Sequence, residues 1–193
     1  MPRTAKFDRD LVLERAMQTF WNQGYCATSM TNLMETTELK PGSIYAAFKS
    51  KQGLFLATLD HYGQQSIEEI TYTLSAAETP MTGLRNLFNQ LAAAAISEGA
   101  ERSCFLVNTV LEVTRHDAMV REKINEYFDI IESKIRHTLE LAQSSGELGS
   151  DKEPEILTTF IMTNIWGIRV LLVTGADQAR VDAVIQQLFD LLE

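Results

Sequence analysis

Apolar residues recur at intervals of three and four along nearly the whole chain, and no segment shows the two-residue alternation of a half-buried β-strand. This spacing places apolar side chains on one face of an α-helix. Proline, glycine and polar clusters interrupt the pattern at Thr79-Pro80, at 97–103 and at 144–152. The sequence therefore predicts an all-α protein, with three short helices and a connecting helix ahead of a larger helical body.

Local signals predict where the first helices begin and end. Asp8 or Asp10 can accept hydrogen bonds from the first N–H groups of a helix that Gly24 ends. Ser29 can cap a second short helix, and Pro41 suits the first turn of a third, where its missing N–H costs nothing. Further helices are predicted from Ser50 onward and over roughly 81–98, 103–114, 117–144, 154–174 and 177–192.

Charge is distributed unevenly along the chain, whose net charge is −9. Residues 1–51 hold seven Lys/Arg and five Asp/Glu, a balance of +2, whereas residues 52–193 hold ten and twenty-one, a balance of −11. An acidic chain does not bind nucleic acid indiscriminately, so a DNA contact should be local and N-terminal. If the chain binds DNA, the DNA-binding domain is expected at 1–51, ahead of a second helical domain at 52–193.

The stretch from Leu39 to Phe55, LKPGSIYAAFKSKQGLF, combines apolar helical spacing with groups suited to DNA. Two short helices joined by a tight turn describe a helix-turn-helix, and a helix N-terminus offers free N–H groups to phosphates and base acceptors. Gly42 would let the backbone approach a groove, and Ser43 and Tyr45 could donate hydrogen bonds there.

Residues 8–55 resemble the DNA-binding domain of the TetR family of bacterial transcriptional regulators. The family pattern is a phenylalanine and a glycine that close helix one, Thr or Ser opening helix two, and then G-x-x-Y-x-x-F-x-x-K-x-x-L. The matching residues are Phe20, Gly24, Thr28, Ser29, Gly42, Tyr45, Phe48, Lys51 and Leu54. One departure is Glu38, which stands where the turn before helix three often has glycine; it would be strained at positive φ and would repel phosphates.

The resemblance implies a homodimer whose recognition helices enter successive major grooves of a pseudo-palindromic, double-stranded operator. Most members of the family are repressors and some are activators, and the sequence does not separate the two. Carried over by position, the DNA contacts are expected at Ser29, Thr31, Lys40, Pro41, Gly42, Ser43, Tyr45 and Lys51.

The resemblance also implies a small-molecule inducer site within the C-terminal helices, in a ligand-binding and dimerisation domain. Such sites are mostly apolar with a few polar groups, although the same residue types also form ordinary cores. The candidate lining residues are Phe88, Cys104, Phe105, Asn108, Glu112, Tyr127, Met162 and Trp166.

Cys104 supports an alternative, a regulator that senses oxidants or electrophiles through its thiol. A helix start and nearby Arg102 favour a thiolate, whereas a buried cysteine without such activation is an inert small hydrophobe. Two cysteines without a disulfide framework suit a reducing cytoplasm.

The last two predicted helices are rich in apolar residues and are the expected dimer interface, where Gly167 would allow close approach. The segment Ile156–Val173 is 18 residues long and strongly apolar, but it contains Thr158, Asn164 and Arg169, which are costly in lipid. We predict an interface helix rather than a membrane span.

Two other classes of protein compete with a DNA-binding regulator. His61, His116 and His137 are far apart and no metal, phosphate-loop or nucleophile motif is present, so we expect no catalytic residue, metal or cofactor. A helical interaction protein that does not bind DNA is disfavoured by Gly42 and Tyr45. The sequence thus predicts a transcriptional repressor released from its operator by an inducer.

Overall fold

The computed structural model describes residues 7–93, 104–113 and 115–192, and within these ranges all regular structure is α-helical. The all-α prediction is therefore confirmed. The helices are α1 Arg9–Gln23, α2 Met30–Thr37, α3 Pro41–Phe48, α4 Lys51–Ser75, α5 Pro80–Ala93, α6 Phe105–Glu112, α7 Ala118–Ser145, α8 Pro154–Val173 and α9 Gln178–Leu192. The predicted extensions over 94–98, 103 and 114 lie outside the described residues.

The chain forms two compact units. The first, called unit 1, comprises the chain up to Gln65 together with Phe105–Glu126, and the second, unit 2, comprises Ser66–Cys104 and Tyr127–Glu193. Helices α4 and α7 each contribute residues to both units. The functional boundary between residues 51 and 52 stays a prediction.

The predicted caps define the helices of unit 1. The Asp8 carboxylate accepts hydrogen bonds from the N–H groups of Asp10 and Leu11, and Gly24 ends α1 at φ 80°. Ser29 caps α2, and Pro41 occupies the first turn of α3. Asp8 and Ser29 pair N–H groups that a helix start would leave unpaired, and Pro41 has no N–H group to pair.

Unit 1 is held together by aromatic side chains from α1, α4 and α6. The rings of Phe20 and Phe55 meet edge to face with centroids 4.9 Å apart, and Phe105 of α6 lies 5.8 Å from Phe55. All three are almost fully buried. The short helix α6 is thus part of the same core as α1 and α4.

Unit 2 has its own apolar core, built from the end of α4, from α5, from the later part of α7 and from α8 and α9. Phe88 packs edge to face on Phe189 at 5.6 Å, and the Arg85 guanidinium lies 4.2 Å from the centre of the Phe189 ring. Ile135, Leu139 and Ile161 are fully buried in the same cluster and complete its centre.

Helix α8 presents a continuous exposed stripe. Its members recur at intervals of three and four and are Ile156, Thr159, Thr163, Gly167 and Val170. Helix Pro154–Val173 is long and apolar enough to cross a membrane, and only 28% of its most apolar window is buried within the chain. A Cβ atom added at Gly167 would meet nothing within 4 Å. The stripe is therefore open to a partner surface.

Candidate nucleic-acid interface

Helix α3 has one buried side and one exposed side. Ile44 is fully buried and Phe48 is 5% exposed, whereas Tyr45 is 48% exposed. Because Ile44 and Phe48 are one helical turn apart, they fix α3 against the unit 1 core and turn Tyr45 outwards. Tyr45 therefore lies off the apolar face of this helix.

The N-terminus of α3 is open to solvent. Lys40, Pro41 and Gly42 are exposed, and Lys40 makes no side-chain cap. The Ser43 and Ile44 N–H groups bond to the Lys40 carbonyl at 2.9 and 3.3 Å, but within the described ranges the Gly42 N–H has no such partner. An added Cβ at Gly42 would meet nothing within 4 Å. This helix end can therefore offer an N–H group and a partial positive charge to a phosphate.

The remaining predicted DNA contacts have different surroundings. Thr31 is exposed on α2, and Ser29 is exposed but engaged in a reciprocal cap, accepting from the Asn32 N–H at 3.1 Å while its own N–H donates to Asn32 Oδ1. Lys51 places its ammonium 4.5 Å from the centre of the Tyr25 ring, a cation–π contact.

Tyr25 remains a neutral phenol in this arrangement. Burial raises the pKa of Tyr25 above its ordinary value, and electrostatic interaction with Asp117 and, to a smaller extent, with Cys26 raises it further. The ring under Lys51 is therefore an uncharged aromatic surface at physiological pH, which contacts the Lys51 ammonium without neutralising its charge.

Backbone strain occurs on both sides of α3. Glu38, in the turn before it, adopts φ 59° and ψ 21°, the conformation in which strain was expected, and its carboxylate pairs with Arg15 at 3.1 Å. Lys49, just after α3, has φ 70° and ψ −41°, and the Ser50 N–H bonds to the Phe48 carbonyl at 2.8 Å. These values describe a tight γ-turn, which is uncommon and strained.

Arg9 extends the basic character of this surface. Its guanidinium lies 4.9 Å from the centre of the Phe48 ring, which orients it beside the end of α3. Helical periodicity and capping signals give no sign that the start of α1 meets α3, so this contact could not be predicted from the sequence. The N-terminal cations Arg3, Lys6 and Arg9 are equally compatible with an arm along DNA and with a frayed end, and of these Arg3 and Lys6 lie outside the described residues.

The predicted ligand residues are divided between the two units. Phe105, Asn108 and Glu112 belong to unit 1, and both Glu112 oxygens accept N–H groups from the turn after α1. The five in unit 2 are Phe88, Cys104, Tyr127, Met162 and Trp166. Cys104 is half-buried directly before α6, Trp166 stacks with Phe128 at 5.1 Å, and the other three are buried. Their role in ligand binding stays a prediction.

Unit 2 contains a cavity of about 360 Å³ between the end of α4, the α4–α5 turn and α7, and none of the eight predicted ligand residues lines it. Its apolar wall includes Leu74, Pro80 and Leu141, and Lys134 and His137 supply nitrogen atoms. Its size and mixed lining are those of a small-molecule site.

The geometry of unit 1 and the three-helix arrangement around α3 define a helix-turn-helix DNA-binding transcriptional regulator. Residues 12–58 match the family described as bacterial regulatory proteins, tetR family, and residues 80–188 match the tetracyclin repressor-like C-terminal domain. The chain belongs to the TetR family, whose members are transcriptional regulators rather than enzymes. The resemblance seen in residues 8–55 is confirmed.

Similar proteins cover almost the whole chain. The HTH-type transcriptional repressor ComR of Escherichia coli is 29% identical over 90% of this chain and 83% of its own length. A cysteine mutant of the TetR family regulator CifR, complexed with 26 bp double-strand operator DNA, is 32% identical, with a TM-score of 0.85 and 97% coverage of both chains. DhaR of Mycobacterium sp., a further transcriptional repressor, is 23% identical over 95% of this chain and 91% of its own length.

Replacing Glu38 by glycine and by alanine separates backbone strain from charge. Both changes remove the carboxylate and its pair with Arg15, but only alanine keeps a Cβ at φ 59°. We expect Glu38→Gly to be more stable than Glu38→Ala by about 1 kcal/mol in urea unfolding, the reverse of the usual order in helices. Both should bind DNA more tightly, because a negative charge beside the recognition helix is lost. A more stable alanine variant would contradict the strain.

Proposed function

We propose that this chain represses transcription as a homodimer on a pseudo-palindromic operator, and that a small-molecule inducer releases it in the cytoplasm. The operator-binding part of the proposal rests on the exposed N-terminus of α3. The buried side chains of Ile44 and Phe48 fix this helix against the core of unit 1. CifR, which is similar over nearly its whole length, was solved on operator DNA, and ComR is a repressor.

Operator contacts are assigned to residues at three helices, α3, α2 and α1. Lys40, Gly42 and Tyr45 present a cation, a backbone N–H and a phenol on the exposed side of α3, with Ser43 half-buried beside them. Thr31 and the capped Ser29 contribute from the start of α2, where a phosphate would meet hydroxyl and N–H groups. Arg9 adds a cation beside Phe48, where it can meet the DNA backbone.

The α8 stripe supports dimerisation through the last two helices. Ile156, Val170 and Leu191 are 61%, 45% and 56% exposed, more than expected for apolar side chains without a covering partner. Thr159, Thr163 and Gly167 between them are small or medium-sized, so a second α8 could approach closely along this seam. A two-fold contact of this stripe with its copy would be self-complementary.

The unit 2 cavity supports the inducer part of the proposal. A volume of about 360 Å³ suits a small organic molecule, and its apolar wall would bury such a molecule while Lys134 and His137 orient a polar or anionic group. Half-buried Lys134 makes no ion pair within the described part of the chain, so its charge is available to a ligand.

Tyr45→Ala tests operator binding through α3. We expect operator affinity to fall about tenfold or more with an unchanged melting temperature, because Tyr45 lies on the exposed side of the helix. Fluorescence anisotropy on a duplex selected from random DNA would measure this. The matched control is Tyr72→Ala in unit 2, a tyrosine that is 74% exposed and should leave affinity unchanged. Equal affinities for both variants would exclude Tyr45 as a contact.

Gly167→Lys tests the dimer. A lysine here meets no atoms within its own chain, so we expect the subunit to fold, while its charge and length separate two α8 helices. Light scattering should show a monomer, and operator affinity should fall because one half-site is lost. Met119→Lys, at an apolar side chain of unit 1 that is 56% exposed, is the control. A Gly167→Lys protein that remains dimeric would place the interface elsewhere.

A further inference from the structure

The turn between α1 and α2 binds a carboxylate from a distant part of the chain. The Tyr25 N–H donates to Glu112 Oε2 at 3.0 Å, and the Cys26 N–H donates to Glu112 Oε1 at 2.9 Å. Glu112 is the last residue of α6 and is 87 positions from Tyr25. Consecutive N–H groups that converge on one anion form a backbone nest, and Glu112 fills it.

Gly24 gives the carboxylate the room it needs. At φ 80°, a Cβ atom on this residue would lie 2.9 and 3.0 Å from the two Glu112 oxygens, closer than side chains normally approach. The Gly24 N–H ends α1 by bonding to the Phe20 carbonyl at 2.8 Å. One glycine therefore both terminates the helix and clears the space for Glu112.

The rest of the turn pairs its own backbone. The Thr28 hydroxyl donates to the Gly24 carbonyl at 2.6 Å, and the Ser29 N–H donates to Asn32 Oδ1 at 2.9 Å. Among the described residues, only Glu112 accepts from the Tyr25 and Cys26 amides. Without Glu112, the Tyr25 and Cys26 N–H groups would lose two charge-assisted hydrogen bonds and would bond to water instead.

Asp117, which lies close to Glu112 in the sequence, contacts the helix that follows the helix-turn-helix. Asp117 caps α7 by accepting from Met119 and Val120, and its second oxygen accepts from the Gln52 amide at 2.6 Å. Gln52 is the second residue of α4, just after the recognition helix. The last residue of α6 thus binds the turn before α2, and the residue before α7 binds the helix after α3.

We propose that Glu112 is a positioning residue for operator binding: its carboxylate fixes the Gly24–Cys26 turn and thereby the orientation in which α2 and α3 meet DNA. The proposal rests on the DNA-binding function described above. Because the contact lies at the surface, its main effect is on the conformation of the turn rather than on the core of unit 1.

Glu112→Gln tests this role, and Glu122→Gln is its control. The amide nitrogen of glutamine would face a backbone N–H, so one of the two hydrogen bonds is lost. On a duplex selected from random DNA by the unmodified chain, we expect affinity to fall at least about tenfold. Glu122→Gln, at an exposed α7 residue whose side chain makes no hydrogen bond or ion pair among the described residues, removes the same charge and should leave affinity unchanged or slightly higher.

Amide hydrogen exchange provides the readout that separates positioning from general stability. In Glu112→Gln the Tyr25 and Cys26 amides should exchange faster, while the Ile44 and Phe48 amides keep their protection. Glu112→Asp, which keeps the charge on a shorter side chain, should change exchange and affinity in the same direction by less.

Three results would overturn the proposal: unchanged operator affinity in Glu112→Gln, unchanged exchange at the turn, or loss of protection throughout unit 1 in both variants. Failure of the unmodified chain to select any duplex would instead contradict the DNA-binding function, and the exchange measurement would still decide whether Glu112 holds the turn.

Discussion

The burial of Ile44 and Phe48 beneath α3 is the contact on which the function of this chain depends. An eight-residue helix is too short to be stable alone, so its position is set by the two side chains that it buries. Those two contacts determine that Tyr45 and the N-terminal turn face outwards. Strained residues on either side, Glu38 and Lys49, allow the chain to enter and leave this helix within a few positions. The site therefore combines a fixed inner side with an open outer side.

Local chemistry explains why much of this architecture could be predicted from the sequence. The caps at Asp8 and Ser29 and the proline at the start of α3 act on residues no more than three or four positions away. They can therefore be recognised from neighbouring residues in the sequence. The positive φ of Glu38 was predictable because it occupies a turn position where glycine is common. Helical periodicity alone is enough to place Tyr45 off the face of α3 that bears Ile44 and Phe48.

Contacts between distant segments could not be predicted in the same way. Glu112 was selected as a possible ligand group because it is a polar residue near apolar ones, but its carboxylate binds a turn 87 positions away. Phe105 was expected to contribute apolar surface to the same ligand site, and it packs in the aromatic core of unit 1. The cavity in unit 2 is lined by residues from the α4–α5 turn and from α7, and their proximity depends on tertiary packing that periodicity does not encode.

The decisive measurement is operator binding by the unmodified chain, followed by anisotropy across a salt series with unrelated DNA as competitor. We expect tight, competitor-resistant binding to a selected pseudo-palindromic duplex, with half-sites about one helical turn apart. Affinity should fall with rising salt as the basic N-terminal surface releases counterions, although the chain as a whole carries a net charge of −9. Binding without sequence preference, or none at low salt, would contradict the account.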